Sequence, residues 1–460
     1  MTLIKSISGI RGTIGGKQGD GLTPLDIVKF VSAYGVLIKN ISNKEKVKVV
    51  VGRDARISGE MVSSLVIGTL IGSGIDVVNI GLASTPTTEI AVMEEAADGG
   101  IILTAIHNPK QWNALKLLNN KGEFLNDKQG KEILAIAEAE DFNYAEIDNI
   151  GIISEADYTD KHIELVKNLS LVDVAAIKNA KFKVAVDAIN SVGGIAIPRL
   201  LKELGVEQVV ELFCNPTGDF EHNPEPIPQN LTAIADIVKN NDVDLGFVVD
   251  PDVDRLAIIN EDGSMFGEEY TLVSVADYVL SKTPGNTVSN LSSTRALRDV
   301  TEKYACSYKS AAVGEVNVVE QMKATNAIIG GEGNGGIIYP ELHSGRDALV
   351  GVALFLTNLA YKNKKCSELR AEYPNYFISK NKIELTPEID VDNLLIKMKE
   401  KYSNENIIDI DGVKIEFEKE WVHLRKSNTE PIIRIYSESK DEESANQLAE
   451  KIIFEIKELI

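Results

Sequence analysis

The sequence predicts an α/β protein: three similar α/β domains followed by a C-terminal α+β domain. Three observations carry this. Apolar runs of strand length alternate with helical stretches from Val47 to Leu359, which is the pattern of parallel strands connected by helices. The order strand, glycine turn, helix, strand occurs after Val47 and again after Phe182, so one plan is reused. Beyond Ala371 strands crowd around a single helix instead. A chain of 460 residues has room for about three or four domains. We place the boundaries at 1–150, 151–255, 256–370 and 371–460.

Composition narrows the functional classes. Apolar content of 44% with 25% charged residues is that of a soluble globular protein. No apolar run is long enough to cross a bilayer, so no membrane role is expected. Met1-Thr-Leu-Ile-Lys-Ser6 is too short and too polar for a signal peptide. A formal charge of −21 argues against nucleic acid as a partner. An anionic substrate would need a local concentration of basic residues. Cys214, Cys306 and Cys366 are far apart and match no zinc or redox spacing. They read as reduced structural residues of a cytoplasmic protein.

In chain order, Ser8-Gly-Ile-Arg-Gly12 reads as a tight glycine loop able to present Arg11 to an anion. Thr23-Pro24 opens a helix to about Lys39. Val47–Val51 is a strand ending in Gly52-Arg-Asp-Ala-Arg56, and Ser58 is expected to cap the helix Gly59–Ser73. Strands are expected at Ile75–Ile80 and Ile101–Leu103, with a helix from about Thr87 to Glu95 between them. The loop Thr104-Ala-Ile-His-Asn-Pro109 leaves the second strand's carboxyl end, where α/β folds place chemistry. Its continuation holds Trp112, Asn113 and Lys116, which also suit a polar surface. A helix from about Asp127 to Glu140 closes the first domain, and one from about Asp157 to Asn168 opens the second.

The second domain holds strands Phe182–Asp187, Val209–Phe213 and Leu245–Val249, with helices to about Gly205 and from Leu231 to Asn240. The last strand delivers Asp250-Pro-Asp-Val-Asp-Arg255. Three carboxylates at alternate positions can converge in a turning loop, and three such charges need a cation between them. Hard oxygen ligands favour magnesium, manganese or calcium. Asp250, Asp252, Asp254 and Glu261 also fit the spacing of a calcium hand. Arg255 stands where that hand needs glycine, though, and Leu256–Ile259 reads as a strand where it needs helix.

The third domain has helices at about Glu269–Ser281 and Ala296–Tyr304, a strand end at Val288–Ser292, and a helix opened by Val313-Gly-Glu-Val-Asn317. Gly330-Gly-Glu-Gly-Asn-Gly-Gly336 then reads as a ligand-approach loop, because glycines at this density cost a packing element too much entropy. Its functional side chains are Glu332 and Asn334, and the acid favours a neutral hydroxylated ligand over a phosphate. His343, Arg346 and Asp347 precede a long apolar helix to about Leu359. In the fourth domain, strands at Lys382–Leu385, Gly412–Phe417, Trp421–Leu424 and Pro431–Tyr436 surround a helix near Val391–Tyr402, with a terminal helix Asp441–Ile460. Arg425-Lys-Ser-Asn-Thr-Glu-Pro431, with Arg434 beyond it, offers cations and hydroxyls around a turn, as a phosphate cradle does.

Taken together, these loops resemble the α-D-phosphohexomutase superfamily of phosphoglucomutases and phosphomannomutases. The resemblance spans the whole chain, with four motifs in the family's order. It implies three similar α/β domains and a smaller fourth around a central cleft. The implied reaction interconverts hexose 1-phosphate and hexose 6-phosphate. Asp250, Asp252 and Asp254 would hold one magnesium ion per chain. Glu332 and Asn334 would contact sugar hydroxyls, and Arg425, Ser427, Asn428 and Thr429 would bind phosphate. Arg11, Arg53 and Lys116 fall where the family places active-site bases and cations, and His107 lies in the phosphoserine loop. A sugar 1,6-bisphosphate is the implied activator, and a monomer or homodimer the expected assembly.

Gly-Glu-Gly-Asn-Gly-Gly, Val313–Asn317 and His222-Asn-Pro-Glu-Pro226 resemble the archaeal-type phosphoglucosamine mutases. The typical bacterial glucosamine enzyme has serine where this chain has Asn334. Glucosamine phosphate is therefore the first expected substrate, with glucose and mannose phosphates beside it. One departure stands out. The family's loop reads Thr-Ala-Ser-His-Asn-Pro, and its serine carries the phosphoryl group; this chain has Ile106 there. Isoleucine has no nucleophile, so the chain as given is expected to be an inactive mutase or a sugar-phosphate-binding protein without turnover.

Overall fold

The computed structural model describes residues 2–6, 9–42, 44–384, 389–426 and 432–459. They form two compact units, residues 1–271 with 335–369, and residues 272–334 with 370–460.

The first unit holds two sheets. The larger runs, in spatial order, through Ile4–Ser6, Gly9–Thr13, Trp112–Leu118, Gly99–Leu103, Val47–Arg53, Ile75–Leu82 and Ile153–Glu155. The last four strands are parallel, and the first three join them antiparallel. Val49, Val51, Ile101 and Leu115 are buried in its core with Phe30 and Leu37 of the helix Pro24–Ser42. The smaller sheet orders Leu256–Asn260, Leu245–Val249, Lys183–Asp187 and Gln208–Leu212, with only the first strand antiparallel. Leu245–Val249 is buried along its whole length, as a parallel strand covered on both faces must be.

The second unit holds parallel strands Tyr308–Ala311, Asn286–Asn290 and Ala327–Glu332. It also holds an antiparallel five-stranded sheet in the order Phe377–Glu384, Ile432–Ser439, Trp421–Lys426, Val413–Glu416, Asn406–Ile408. Helices Val391–Lys401 and Glu442–Leu459 cover that sheet, burying Met398, Leu448, Ile452 and Ile456 against Ile415, Leu424 and Ile433. Among the described residues no helix is long and apolar enough to cross a membrane.

Several expectations are corrected. Gly9–Gly12 is not a glycine turn: Gly9–Thr13 is a strand between two others, and Ser8 lies outside the described residues. A Cβ on Gly9 would lie 2.3 Å from the Leu115 carbonyl oxygen, and one on Gly12 2.9 Å from the Leu22 amide nitrogen. These glycines admit neighbouring backbone rather than bend the chain. Ser58 precedes its helix but makes no side-chain cap; its hydroxyl accepts a hydrogen bond from Asn113 at 2.9 Å. Gly330 and Gly331 are also strand residues, and Gly330 leaves space that the Met322 sulfur and the Val288 carbonyl close to 2.6 Å. The strands Trp112–Leu118, Ile153–Glu155, Tyr308–Ala311 and Asn406–Ile408 carry too little apolar alternation to stand out in sequence. Leu256–Asn260 is a strand, which removes the calcium hand.

Candidate active site

Strand Leu245–Val249 ends in a turn tied by Asp250, whose Oδ1 accepts from the amides of Asp254 and Arg255 at 3.2 Å each. Val253 sits in the turn at φ +62° and is fully buried. A β-branched residue there is strained, and the close turn brings Asp250, Asp252 and Asp254 together. One oxygen from each lies within 4.8 Å of the others. All three side chains are fully buried.

Each carboxylate has one oxygen that is satisfied and one that is not. Asp252 Oδ2 accepts from Thr85 Oγ1 at 2.6 Å and from Lys116 Nζ at 2.9 Å. Asp254 Oδ2 accepts from Arg346 Nη2 at 2.5 Å. Asp250 Oδ2, Asp252 Oδ1 and Asp254 Oδ1 have no hydrogen-bond partner. Buried carboxylate oxygens left so are costly, and three converging ones are the donor set of a hard divalent cation. The residues present therefore fit such an ion. Burial, then the charges of Asp254 and Asp252, push Asp250 well above the usual carboxylate range. Burial also opposes ionisation of Asp252, but Lys116 and Thr85 outweigh it and hold that carboxyl at about 2.

Lys116 and Arg346 converge on the same turn. Lys116 lies on Trp112–Leu118, the strand that pairs with Gly9–Thr13, and Arg11 stands opposite Ala114. Alternation along a strand puts Ala114 and Lys116 on one face. Lys116 is 6% exposed, so it is no surface residue. Burial opposes its charge, yet Asp252 and Asp254 outweigh burial and raise its pKa. His107 is driven the other way, to about 3, first by burial and then by Arg255, with Arg346 and Arg11 adding and Asp252 opposing. These charges disfavour the imidazolium, and the buried Nδ1 has no hydrogen-bond partner. Arg53 is turned toward Glu60, at 3.4 Å.

The loop that carries Ile106 is gripped from below. Arg56 is 1% exposed and paired with Asp54 at 2.9 Å. Its guanidinium donates to the carbonyls of Ile106 at 2.5 Å, Asn108 at 2.8 Å, Pro109 at 2.9 Å and Trp112 at 3.1 Å. Ile106 itself adopts φ +56°, a second β-branched residue in the left-handed region. Its amide donates to Thr104 Oγ1 at 3.1 Å, and Thr104 is fully buried. The hydroxyl two residues away is thus already engaged inside the loop.

The second unit carries the other predicted residues. Glu332 ends strand Ala327–Glu332, and its Oε1 accepts from Asn290 Nδ2 at 2.8 Å and the Gly314 amide at 3.2 Å. The Gly333 amide donates to Ser293 Oγ at 2.9 Å, and Asn334 follows. Arg425 and Arg434 are directly opposed partners on adjacent strands. Like charges so placed repel, unless an anion stands between them. Arg425 Nε reaches Asp411 at 2.8 Å. Ser427, Asn428 and Thr429 lie outside the described residues.

No motif in the sequence marks Thr85, Arg56 or Asp411 as functional, and Arg346 stands out only by its place before a long apolar helix. Arg56 closes the Gly52–Arg56 run, and its position after a strand was the one available signal.

Four family models match in order: phosphoglucomutase/phosphomannomutase alpha/beta/alpha domain I over residues 3–144, domain II over 160–263 and domain III over 267–376, and the C-terminal domain over 358–453. A phosphoglucomutase/phosphomannomutase of Thermococcus kodakarensis is 37% identical, over 95% of this chain and 96% of that protein. A phosphoglucosamine/phosphogalactosamine mutase of Sulfurisphaera tokodaii is 33% identical, over 96% and 97%. The crystal structure of a phosphoglucomutase/phosphomannomutase family protein from Burkholderia thailandensis superposes with a TM-score of 0.85 at 25% identity, over 99% of this chain and 98% of that one. Similarity of this extent, through all four domains and in the same order, places the chain in the phosphoglucomutase/phosphomannomutase family.

Proposed function

We propose that this chain has the binding apparatus of a phosphohexomutase for hexose 1- and 6-phosphates, glucosamine phosphate first, with the phosphoryl relay interrupted at Ile106. The observation that carries the reading is the loop Thr104–Pro109: Arg56 anchors its carbonyls, while the side chain at its centre is a hydrocarbon. The name of the Sulfurisphaera relative supports glucosamine phosphate, and that of the Thermococcus relative supports glucose and mannose phosphates as alternatives. The four domains are taken to divide at 150, 255 and 370, in the order of the matched segments. Cytoplasmic location and a monomer or homodimer complete the reading.

In this reading Asp250, Asp252 and Asp254 hold one magnesium ion, which when bound neutralises charge on a transferring phosphoryl group. Lys116 stays protonated beside Asp252 and Asp254 and supplies fixed positive charge, as does Arg11. His107 stays neutral and lines the approach. Glu332 and Asn334 take sugar hydroxyls. Arg425 and Arg434, with Ser427, Asn428 and Thr429, grip the phosphate that is not reacting. Ile106 stands where the family has its phosphoserine, and a sugar 1,6-bisphosphate would prime a serine there. A second reading, a binding protein without turnover, rests on the same isoleucine.

Two expected results test the binding half. Arg425→Ala should weaken binding of a hexose 6-phosphate by about 1.5–3 kcal/mol, because the arginine–phosphate contact is charge-assisted. Calorimetric titration measures it, and an unchanged affinity removes the phosphate assignment. Asp252→Asn should lower magnesium affinity at least tenfold, since it removes one of three anionic ligands. Competition between magnesium and a fluorescent lanthanide reads this directly. Equal affinity in the variant would place the ion elsewhere.

A further inference from the structure

Val313 and Gly314 stand just before the helix Glu315–Thr325, and their consecutive amides go to different carboxylates. Gly314 donates to Glu332 at 3.2 Å. Val313 donates to Asp411 Oδ2 at 3.0 Å. Asp411 in turn receives Arg425 Nε, at 3.0 Å on Oδ1 and 2.8 Å on Oδ2. The carboxylate assigned to the sugar and the guanidinium assigned to the phosphate are therefore tied to one dipeptide.

Asp411 is the fixed member of its pair. Its carbonyl oxygen lies 2.7 Å from His423 Nε2. His423 is 2% exposed, and Ser292 Oγ lies 2.9 Å from its Nδ1. An Nε2–H donating to the carbonyl leaves Nδ1 to accept from the serine hydroxyl, which satisfies a neutral ring. Gly412 follows at φ +72°, and a Cβ there would lie 2.1 Å from the Leu424 carbonyl oxygen. The turn is pressed onto the strand that carries Arg425. With backbone and carboxylate both held, Asp411 sets where the guanidinium points. It uses only the Nε edge: among the described residues the Nη groups of Arg425 make no hydrogen bond. The two Nη groups left open can take a phosphate in an end-on bidentate contact. A competing internal anion would sit on the Nη edge instead.

We propose that Asp411 is a positioning residue for phosphate recognition, holding the Arg425 guanidinium with its open edge toward the anion and in register with Glu332 through Val313 and Gly314. The proposal rests on the reading of Arg425 as a phosphate ligand. It predicts that Asp411 acts through Arg425 and not independently.

The test is a double-mutant cycle read by calorimetry with glucose 6-phosphate and glucosamine 6-phosphate, using the full chain. Asp411→Asn is expected to weaken binding about tenfold, although it removes a negative charge near a dianion. Asp411→Glu, which keeps the charge but shifts the carboxylate by a methylene, is expected to weaken it as well. In the Arg425→Ala background Asp411→Asn should have no further effect. Circular dichroism establishes that each variant is folded, and the glutamate variant stands in should the asparagine one not fold. Losses that simply add, or unchanged or tighter binding by both Asp411 variants while Arg425→Ala weakens it, would overturn the proposal alone. Unchanged binding by Arg425→Ala would bring down the phosphate reading and this inference with it.

Discussion

Ile106→Ser is expected to interconvert hexose phosphates, and the Ile106 protein is expected not to. The surroundings of position 106 are otherwise complete. Arg56 holds the loop by three carbonyls and the strand after it by that of Trp112, and three aspartate oxygens accept no hydrogen bond. Phosphoryl relay through the enzyme needs a nucleophilic oxygen at that point. Thr104 cannot supply it in place, because it is fully buried and accepts the Ile106 amide. The substitution should also be easy on the fold. Isoleucine at φ +56° carries strain of roughly 1–3 kcal/mol, and serine lacks the second branch at Cβ that makes this region costly.

The assay incubates both proteins with magnesium and glucose 1,6-bisphosphate, then supplies glucosamine, glucose and mannose phosphates. Ile106→Gly serves as the control that relaxes the backbone without adding a hydroxyl, and it should stay inactive. Robust turnover by the Ile106 protein would sink the interruption and point to a different phosphoryl carrier. A serine variant that folds and binds sugar phosphate yet stays inactive would favour the binding-protein reading.

The aspartate loop was legible because two signals coincide there. A fully apolar strand, Leu245–Val249, is followed at once by acids at alternate positions, and both periodicities survive in the structure. Glycine was less legible, because it marks either a bend or a close approach and sequence does not say which. Gly9, Gly12 and Gly330 turned out to be close approaches inside strands. Lone basic residues were illegible for another reason. Arg56 looks like a surface cation until the fold places four carbonyls around it, and Lys116 interrupts the strand pattern that would have revealed Trp112–Leu118. Ser58 shows the same limit at a helix start. The residue type suited a cap, but Asn113 on another strand took its hydroxyl.

His343→Ala is expected to destabilise the first unit by about 3–5 kcal/mol, the cost of removing one partner from a buried charged network. His343 is 5% exposed. Its Nδ1 lies 3.1 Å from Glu89 Oε2 and its Nε2 3.1 Å from Asp347 Oδ2. A carboxylate beside each nitrogen favours the imidazolium. Burial works against that charge, but Asp347 and Glu89 outweigh it and push the pKa up to about 10. Asp347 is held well below the carboxylate range: burial opposes its ionisation, and His162 and His343 more than compensate. The network reaches further, since His162 Nε2 lies 2.9 Å from the same Asp347 oxygen and its Nδ1 3.0 Å from Thr87. Asp347 also caps the helix Ala348–Lys362 through the amides of Leu349 and Val350. Gly345 leaves the Glu89 carboxylate its place, since a Cβ there would come within 1.8 Å of Glu89 Oε2. The sign of the pH dependence follows from the raised value. An unfolded histidine titrates near 6.5, so the stabilisation is fully present below about that pH and is lost as pH rises through about 10. Urea denaturation of the parent and His343→Ala proteins at pH 6, 8 and 10, following the transition of the first unit, should therefore show a stability gap that is largest at pH 6 and narrows toward pH 10. A gap that stays constant over this range would mean that His343 acts by packing alone and that its charge contributes nothing.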